Sequence, residues 1–246
     1  MDTMSITKSK IMTQPAAHKL RNGLLILIAF DMLLIVGRVW SYPAFMRQPG
    51  AVPYVMAPLI LLVVYAGVIL AIAMNPGPDR RAPLNPSLVF GLITGTMQAI
   101  NIAIETFGHM SGLVNILITA PFLLGSFLLW GVSAFWTTRQ TGSLRIGVAA
   151  AIGSGMIGIL IGIAFGFLLT YTSLPTLAQN ILGSPEQIAS HWTDLQAFGI
   201  ANTLDAGFIH LAAAWIIGAV VGIVGSLVGL LSLRIPQLRM PSQPKH

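Results

Sequence analysis

Long apolar runs alternate with short polar segments along the whole chain. Six of these runs reach the roughly 20 residues that a helix needs to cross a bilayer. They lie at about 23–42, 52–74, 88–109, 113–136, 146–172 and 203–231. The pattern predicts an all-α integral membrane protein: one six-helix transmembrane domain over 23–231, with polar tails over 1–22 and 232–246.

Small residues recur at every fourth position in three of the predicted spans. The stripes are Ser87, Gly91, Gly95, Ala99 and Ala103 in the third span, Ala150, Ser154, Gly158, Gly162 and Gly166 in the fifth, and Ala214, Gly218, Gly222 and Ser226 in the sixth. Lipid supplies little hydrophobic force between helices, so helices associate where small residues let their backbones approach closely. We therefore expect tight helix packing at Gly91, Gly95, Gly158, Gly162, Gly166, Gly218 and Gly222.

The distribution of basic residues predicts the orientation. If both termini lie in the cytoplasm, eleven of the 13 Lys and Arg residues fall on the inner side, and only Arg38 and Arg47 fall outside. Such a bias is typical of cytoplasmic loops. Only 8% of residues are charged, and the basic excess is explained by topology and anionic lipid rather than by nucleic acid. We expect a multi-pass protein of the plasma or inner membrane, with the bilayer as its first partner.

The longest predicted outer loop, 173–202, contains a helix-start signal. Ser184 is a capping residue, and Pro185 suits the first helical position. We predict a short amphipathic helix that buries Ile188, Trp192, Leu195 and Phe198 and ends at Gly199, with His191 and Asp194 on its solvated side. Asn202 is the expected cap of the last span, and Asp205 lies in that span's first turn.

Ionisable residues inside a membrane are costly, so each is a candidate site. The candidates are Asp31, Arg38, Glu105, His109 and His210. Arg38 and Glu105 lie at similar predicted depth, and they form either a structural ion pair or, with both histidines, a polar pocket open to the outside. His109 and His210 are also candidate axial ligands of a haem or a chlorophyll-type pigment, or metal ligands with Glu105. Asp31, near mid-bilayer, is either protonated or hydrogen-bonded to Gln98 or Asn101.

The sequence offers little catalytic equipment. It has no cysteine, which excludes disulfides and thiolate metal sites, and it carries no nucleotide-binding loop, metalloprotease helix or nucleophile turn. The leading hypothesis is a non-enzymatic subunit that packs with itself or with other membrane proteins. The alternative is a small-molecule transporter or its substrate-binding membrane component, with a ligand at the outer face. In span number and orientation this alternative resembles the vitamin-binding components of energy-coupling transporters. A redox or pigment-carrying subunit is the third hypothesis.

Overall fold

The computed structural model describes residues 14–74, 83–108 and 112–238, and these residues form helices joined by short connections. Six of the helices are long and apolar enough to cross a membrane, as the hydrophobic runs predict. They are α1 Gln14–Ser41, α2 Ala51–Met74, α3 Leu84–Phe107, α4 Gly112–Thr141, α5 Leu144–Thr172 and α8 Leu195–Leu238. Two short helices, α6 Leu174–Asn180 and α7 Pro185–Ser190, and a 3-10 turn, Phe45–Arg47, lie in the connections. The chain is therefore a polytopic, all-α membrane protein.

Helix α5 is the central helix of the bundle. It packs against α1, α3, α4 and α8, and 72% of its apolar window is buried, compared with 28% or less in the other five long helices. Only Gly142 and Ser143 separate α4 from α5. Gly142 has a φ of 67°, which a residue without Cβ adopts readily, and the Ser143 hydroxyl accepts a hydrogen bond from Ile146 N. This tight turn makes α4 and α5 antiparallel neighbours.

Three connections meet at one end of the bundle, which we call the α6–α7 end. The Trp192 indole N–H donates to Pro49 O over 3.0 Å. The Asn180 amide donates to Thr106 O near the end of α3 over 2.8 Å. The connection from α1 to α2, the end of α3 and the segment between α5 and α8 are therefore held together.

The connection from α5 to α8 differs from the predicted single amphipathic helix. Helix α7 begins as predicted, with the Ser184 hydroxyl accepting from Gln187 N over 3.1 Å. It ends at Ser190 because His191 adopts a left-handed conformation, with φ 56°. The extension to Phe198 is therefore wrong, and the sequence analysis did not predict α6.

The start of the last long helix was also predicted wrongly. The Asp194 carboxylate accepts a hydrogen bond from Ala197 N over 3.0 Å, which is the capping interaction that begins a helix. Helix α8 therefore begins at Leu195. Gly199, Asn202 and Asp205 lie inside α8 rather than at a helix end, because a single glycine does not stop a helix that is packed on both sides of it.

Several glycines of the predicted stripes face other helices of the same chain. A Cβ added at Gly91 would lie 2.6 Å from the Ile157 Cβ, and one at Gly95 would lie 2.7 Å from the Ile161 Cβ. On the opposite side, a Cβ added at Gly222 would lie 2.9 Å from the Ala151 Cβ. Helices α3 and α8 thus both approach α5 more closely there than a larger residue would allow.

Candidate functional site

A cavity of about 570 Å³ lies toward the α6–α7 end, between α3, α4, α5, α6 and α8. Its volume is typical of small-molecule sites, which combine apolar walls with a few convergent polar groups. Polar side chains line it from four of these helices. They are Gln98, Asn101, Glu105, Thr106, Thr119, Asn180, Asn202, Thr203 and His210. The cavity is therefore a candidate ligand site in the described part of the chain.

One face of α3 supplies three of these polar groups. Gln98, Asn101 and Glu105 are three and four residues apart, so they share a side of the helix. The Asn101 amide N–H donates to the Glu105 carboxylate over 3.1 Å. Asn101 is only 9% exposed, and its Oδ1 has no hydrogen-bond partner within the described parts of the chain. A buried acceptor without a donor is unfavourable, so this oxygen is a group that a ligand can satisfy.

His210 faces the cavity from α8 with a defined tautomer. Its Nδ1 lies 2.6 Å from Ala206 O. A carbonyl oxygen only accepts, so Nδ1 carries the hydrogen, and Nε2 is the acceptor in the neutral ring. Asn202 lies two turns before His210 on the same side of α8 and also lines the cavity. Helix α8 thus presents an amide and an imidazole acceptor to the same space.

The wall contributed by α5 is apolar. Ile159, Ile163 and Phe167 line it, with Gly162 and Gly166 between them. A Cβ added at Gly162 would lie 2.9 Å from the Gln98 Cβ, whereas one at Gly166 would meet only the Ile102 Cδ1, at 3.9 Å. The helices therefore approach closely at Gly162 and leave room at Gly166.

The structure brings two of the five predicted site residues into one cavity. Glu105 and His210 both line the cavity, and both side chains are exposed rather than buried. Arg38 and Asp31 belong to α1, which does not contribute to the lining. His109 lies outside the described residues, so the predicted pairing with His210 as axial ligands stays a prediction.

Arg38 does not form the expected ion pair with Glu105 in the part of the chain that the structure describes. Its guanidinium carbon lies 5.6 Å from the Tyr42 ring centroid and 5.3 Å from that of Tyr171, which are cation–π distances. The reason is the arrangement around α5. Helix α1 packs against α2 and α5, whereas Glu105 faces the cavity between α3 and its other neighbours.

Asp31 is fully buried, with 0% exposure. Within residues 14–74, 83–108 and 112–238, neither carboxyl oxygen has a hydrogen-bond partner. The Gln98 amide donates to Ser126 and the Asn101 amide to Glu105, and neither of the predicted bonds to Asp31 is present among the described residues. Helix α2 has no lysine or arginine, and α5 has only Arg145, at its far end.

Asp194 is a structural residue rather than part of a solvated face. It accepts a hydrogen bond from the Tyr42 hydroxyl over 2.9 Å, besides capping α8. Burial and this hydrogen bond raise the pKa of Tyr42 above its ordinary value. The contact connects the end of α1 to the start of α8.

Sequence reasoning missed several polar cavity residues: Thr106, Thr119, Asn180, Asn202 and Thr203. Asn180 was placed in the predicted outer loop 173–202, and Asn202 was assigned as a helix cap, so neither was considered as lining. Amide residues near the ends of apolar runs were the available signal.

Among the described residues, no group of three His, Cys, Asp or Glu residues lies close enough to hold a metal ion.

Comparison with protein-family models, with curated proteins and with solved structures gives no match. The fold and the cavity therefore define the class of this protein by themselves: a six-helix membrane protein with a polar-lined cavity at one end of the bundle.

Proposed function

We propose that this protein is a non-enzymatic small-molecule transporter, or the substrate-binding membrane component of one. The observation that carries the proposal is the cavity, whose polar groups come from helices that are far apart in sequence. Asn101 and Glu105 belong to α3, Asn180 to α6 and His210 to α8. Convergence of such groups on a space of about 570 Å³ is typical of ligand sites between helices.

The small-residue stripes support this function over that of a complex subunit. A subunit role was favoured because stripes of glycine provide surfaces for other helices. Gly91, Gly158, Gly218 and Gly222 instead face helices of their own chain. We propose that the stripes pack the bundle internally, so they no longer argue for a partner protein.

We further propose that the α6–α7 end faces outward and that both termini are cytoplasmic. The support is the positive-inside bias of the sequence, in which eleven of the 13 basic residues fall in the tails and in the connections predicted to be cytoplasmic. The cavity is then entered from the outside, which suits uptake. Plasma or inner membrane is the corresponding location.

The proposal is tested by a thermal-unfolding screen of small metabolites against the purified protein in detergent. A ligand at 100 times its Kd stabilises the folded state by about 2.7 kcal/mol, which is a measurable increase in Tm. The variant Ala206→Trp places a large ring in the cavity and is expected to remove that increase. Val220→Trp is the matched control, because Val220 lies on the same helix, away from the cavity, and is 58% exposed.

Both outcomes are decisive. Ligand-dependent stabilisation of the unmodified protein and of Val220→Trp, but not of Ala206→Trp, supports the cavity as the binding site. An absence of stabilising compounds, or equal stabilisation of all three proteins, contradicts it. If Ala206→Trp does not fold, Asn202→Trp replaces it, because Asn202 is an exposed lining residue.

A further inference from the structure

The cavity presents hydrogen-bond acceptors where a ligand would bind. The Asn101 amide N–H is used by Glu105, which leaves the buried, unpartnered Oδ1. Glu105 adds a carboxylate one turn further along α3. The Nδ1–H of His210 is used by Ala206 O, which leaves Nε2 as an acceptor in the neutral ring. All three side chains belong to one lining.

The charge of the lining has a single sign. Glu105 is the acidic residue among the described lining residues, which include no lysine or arginine. Arg38 lies against the rings of Tyr42 and Tyr171 on another side of the bundle. A cationic group would therefore gain charge-assisted hydrogen bonds in the cavity, whereas an anion would meet the Glu105 carboxylate and only neutral donors, such as the Asn202 amide.

The remaining walls suit an organic group. Ile159, Ile163 and Phe167 form an apolar surface on α5, and Ile116 and Leu123 face it from α4. These walls offer no polar group to an inorganic ion, and an ion that loses its hydration shell without new polar partners is unfavourable. A ligand with an apolar portion would bury it there.

We infer that the cavity recognises a protonated organic amine, whose ammonium N–H groups donate to Asn101 Oδ1, Glu105 and His210 Nε2 and whose apolar part lies against α5. This inference rests on the proposed function, because it names the substrate class of the same cavity. Glu105 supplies the charge, and Asn101 supplies a buried acceptor that has no hydrogen-bond partner among the described residues.

Three probes of similar size test the inference: 2-phenylethylammonium, the neutral alcohol 3-phenyl-1-propanol and the anion 3-phenylpropanoate. Binding to the purified full chain is measured by titration calorimetry. We expect the ammonium to bind at least about ten-fold more tightly than the other two, since hydrogen bonds to charged groups are about twice as strong as neutral ones. Trimethyl(2-phenylethyl)ammonium, which keeps the charge but has no N–H, is expected to bind more weakly than the primary ammonium.

Two variants assign the effect to residues. Glu105→Gln is expected to weaken ammonium binding about ten-fold or more and to weaken binding of the alcohol far less, because the alcohol carries no charge to pair with the carboxylate. Asn101→Leu is expected to weaken ammonium binding about five-fold, because it removes one hydrogen-bond acceptor. Glu186→Gln is the matched control, since it removes the same charge from α7 at the same end of the bundle, outside the lining.

The results separate this inference from the proposed function. Tighter binding of the alcohol or the anion, blocked by Ala206→Trp, overturns the amine assignment and leaves the cavity as a ligand site. Equal ammonium binding by Glu105→Gln and by the unmodified protein also overturns the assignment. If none of the probes binds to a folded protein, the inference is contradicted, and the metabolite screen decides the proposed function independently.

Discussion

The two halves of α5 carry the same small-residue spacing but have different surroundings. From Gly147 to Gly158 the helix is in close contact with its neighbours: a Cβ added at Gly158 would overlap Thr94, and one at Gly147 would overlap Thr138 and Ser226. From Ile159 to Leu169 the helix lines the cavity, and at Gly166 the nearest atom is 3.9 Å from an added Cβ. Small residues thus permit close packing along the first half and at Gly162, and they leave open space beside Gly166.

The difference shows that the spacing of small residues does not by itself determine whether that part of a helix packs closely or lines a cavity. What matters is the residue opposite each glycine. Thr94 and the backbone of α3 lie opposite Gly158, whereas the cavity lies beside Gly166.

The largest expected effect comes from enlarging a residue in the closely packed half. Gly158→Leu would force side-chain atoms into Thr94 and is expected to destabilise the fold by at least about 3 kcal/mol, as overpacking of a dense interior does. Gly67→Leu is the control, because Gly67 lies in α2 with nothing within 4 Å of an added Cβ. Yield and thermal unfolding in detergent measure both. Equal Tm values for the two variants would show that the first half of α5 is not tightly packed.

Asp31 provides a test of an acidic group outside the cavity. Asp31→Leu removes a buried carboxyl that lacks partners and is expected to stabilise the protein by about 2 kcal/mol, because an unsatisfied buried polar group costs about 1–3 kcal/mol. Thermal unfolding measures the change in stability of Asp31→Leu and of Glu105→Leu relative to the unmodified protein. We expect only the former to gain stability, since Glu105 is exposed and partnered. A loss of stability in Asp31→Leu would mean that Asp31 has a favourable interaction in the folded protein.

The same enlargement in the open half of α5 should affect binding rather than folding. Gly166→Leu is expected to fold and to weaken binding of 2-phenylethylammonium about ten-fold, or about 1.4 kcal/mol, because the side chain occupies part of the cavity. Calorimetric titration measures the affinity, and thermal unfolding verifies the fold. Unchanged affinity in a folded Gly166→Leu protein would place the ligand elsewhere.

The smallest effect is expected at the contact between Tyr42 and Asp194. Tyr42→Phe removes one partly buried hydrogen bond and is expected to lower stability by about 1 kcal/mol without affecting binding. Because the pKa of Tyr42 is raised in the folded protein, this contribution is complete below its ordinary pKa of 10.0 and is lost as the pH rises through the higher pKa of the folded state. The difference in Tm between the two proteins should therefore be full at pH 7 and decrease as the pH rises beyond 10.

The hydrophobic pattern predicted the long helices because length and apolar composition are properties of each segment alone. The connection from α5 to α8 was predicted less well. Ser184 was identified as a cap, but Asp194 was assigned to a solvated side. Tyr42 and Pro49 contact Asp194 and Trp192 from the end of α1 and from the α1–α2 connection. Local signals do not contain those contacts.

The candidate site was predicted in part for the same reason. Glu105 and His210 were proposed as parts of one polar pocket open to the outside, and both line the cavity. Depth does not determine which side of the bundle a helix occupies, so Arg38 was expected beside Glu105, although α1 packs on α2 and α5. Asn180 and Asn202 were missed because their place depends on how α6 and α8 fold over the end of α3.

The most direct test of the account is thiol labelling along α5, which is possible because the chain has no cysteine. Gly166→Cys lies in the cavity, and Ser154→Cys lies in the closely packed half, where Ser154 is 0% exposed. A methanethiosulfonate reagent bearing an ammonium group should label Gly166→Cys rapidly and Ser154→Cys only after denaturation, and it should react faster at Gly166→Cys than the sulfonate-bearing reagent does. Equal labelling of the two positions in the folded protein, or faster reaction of the anionic reagent, would contradict an open cavity that favours cations.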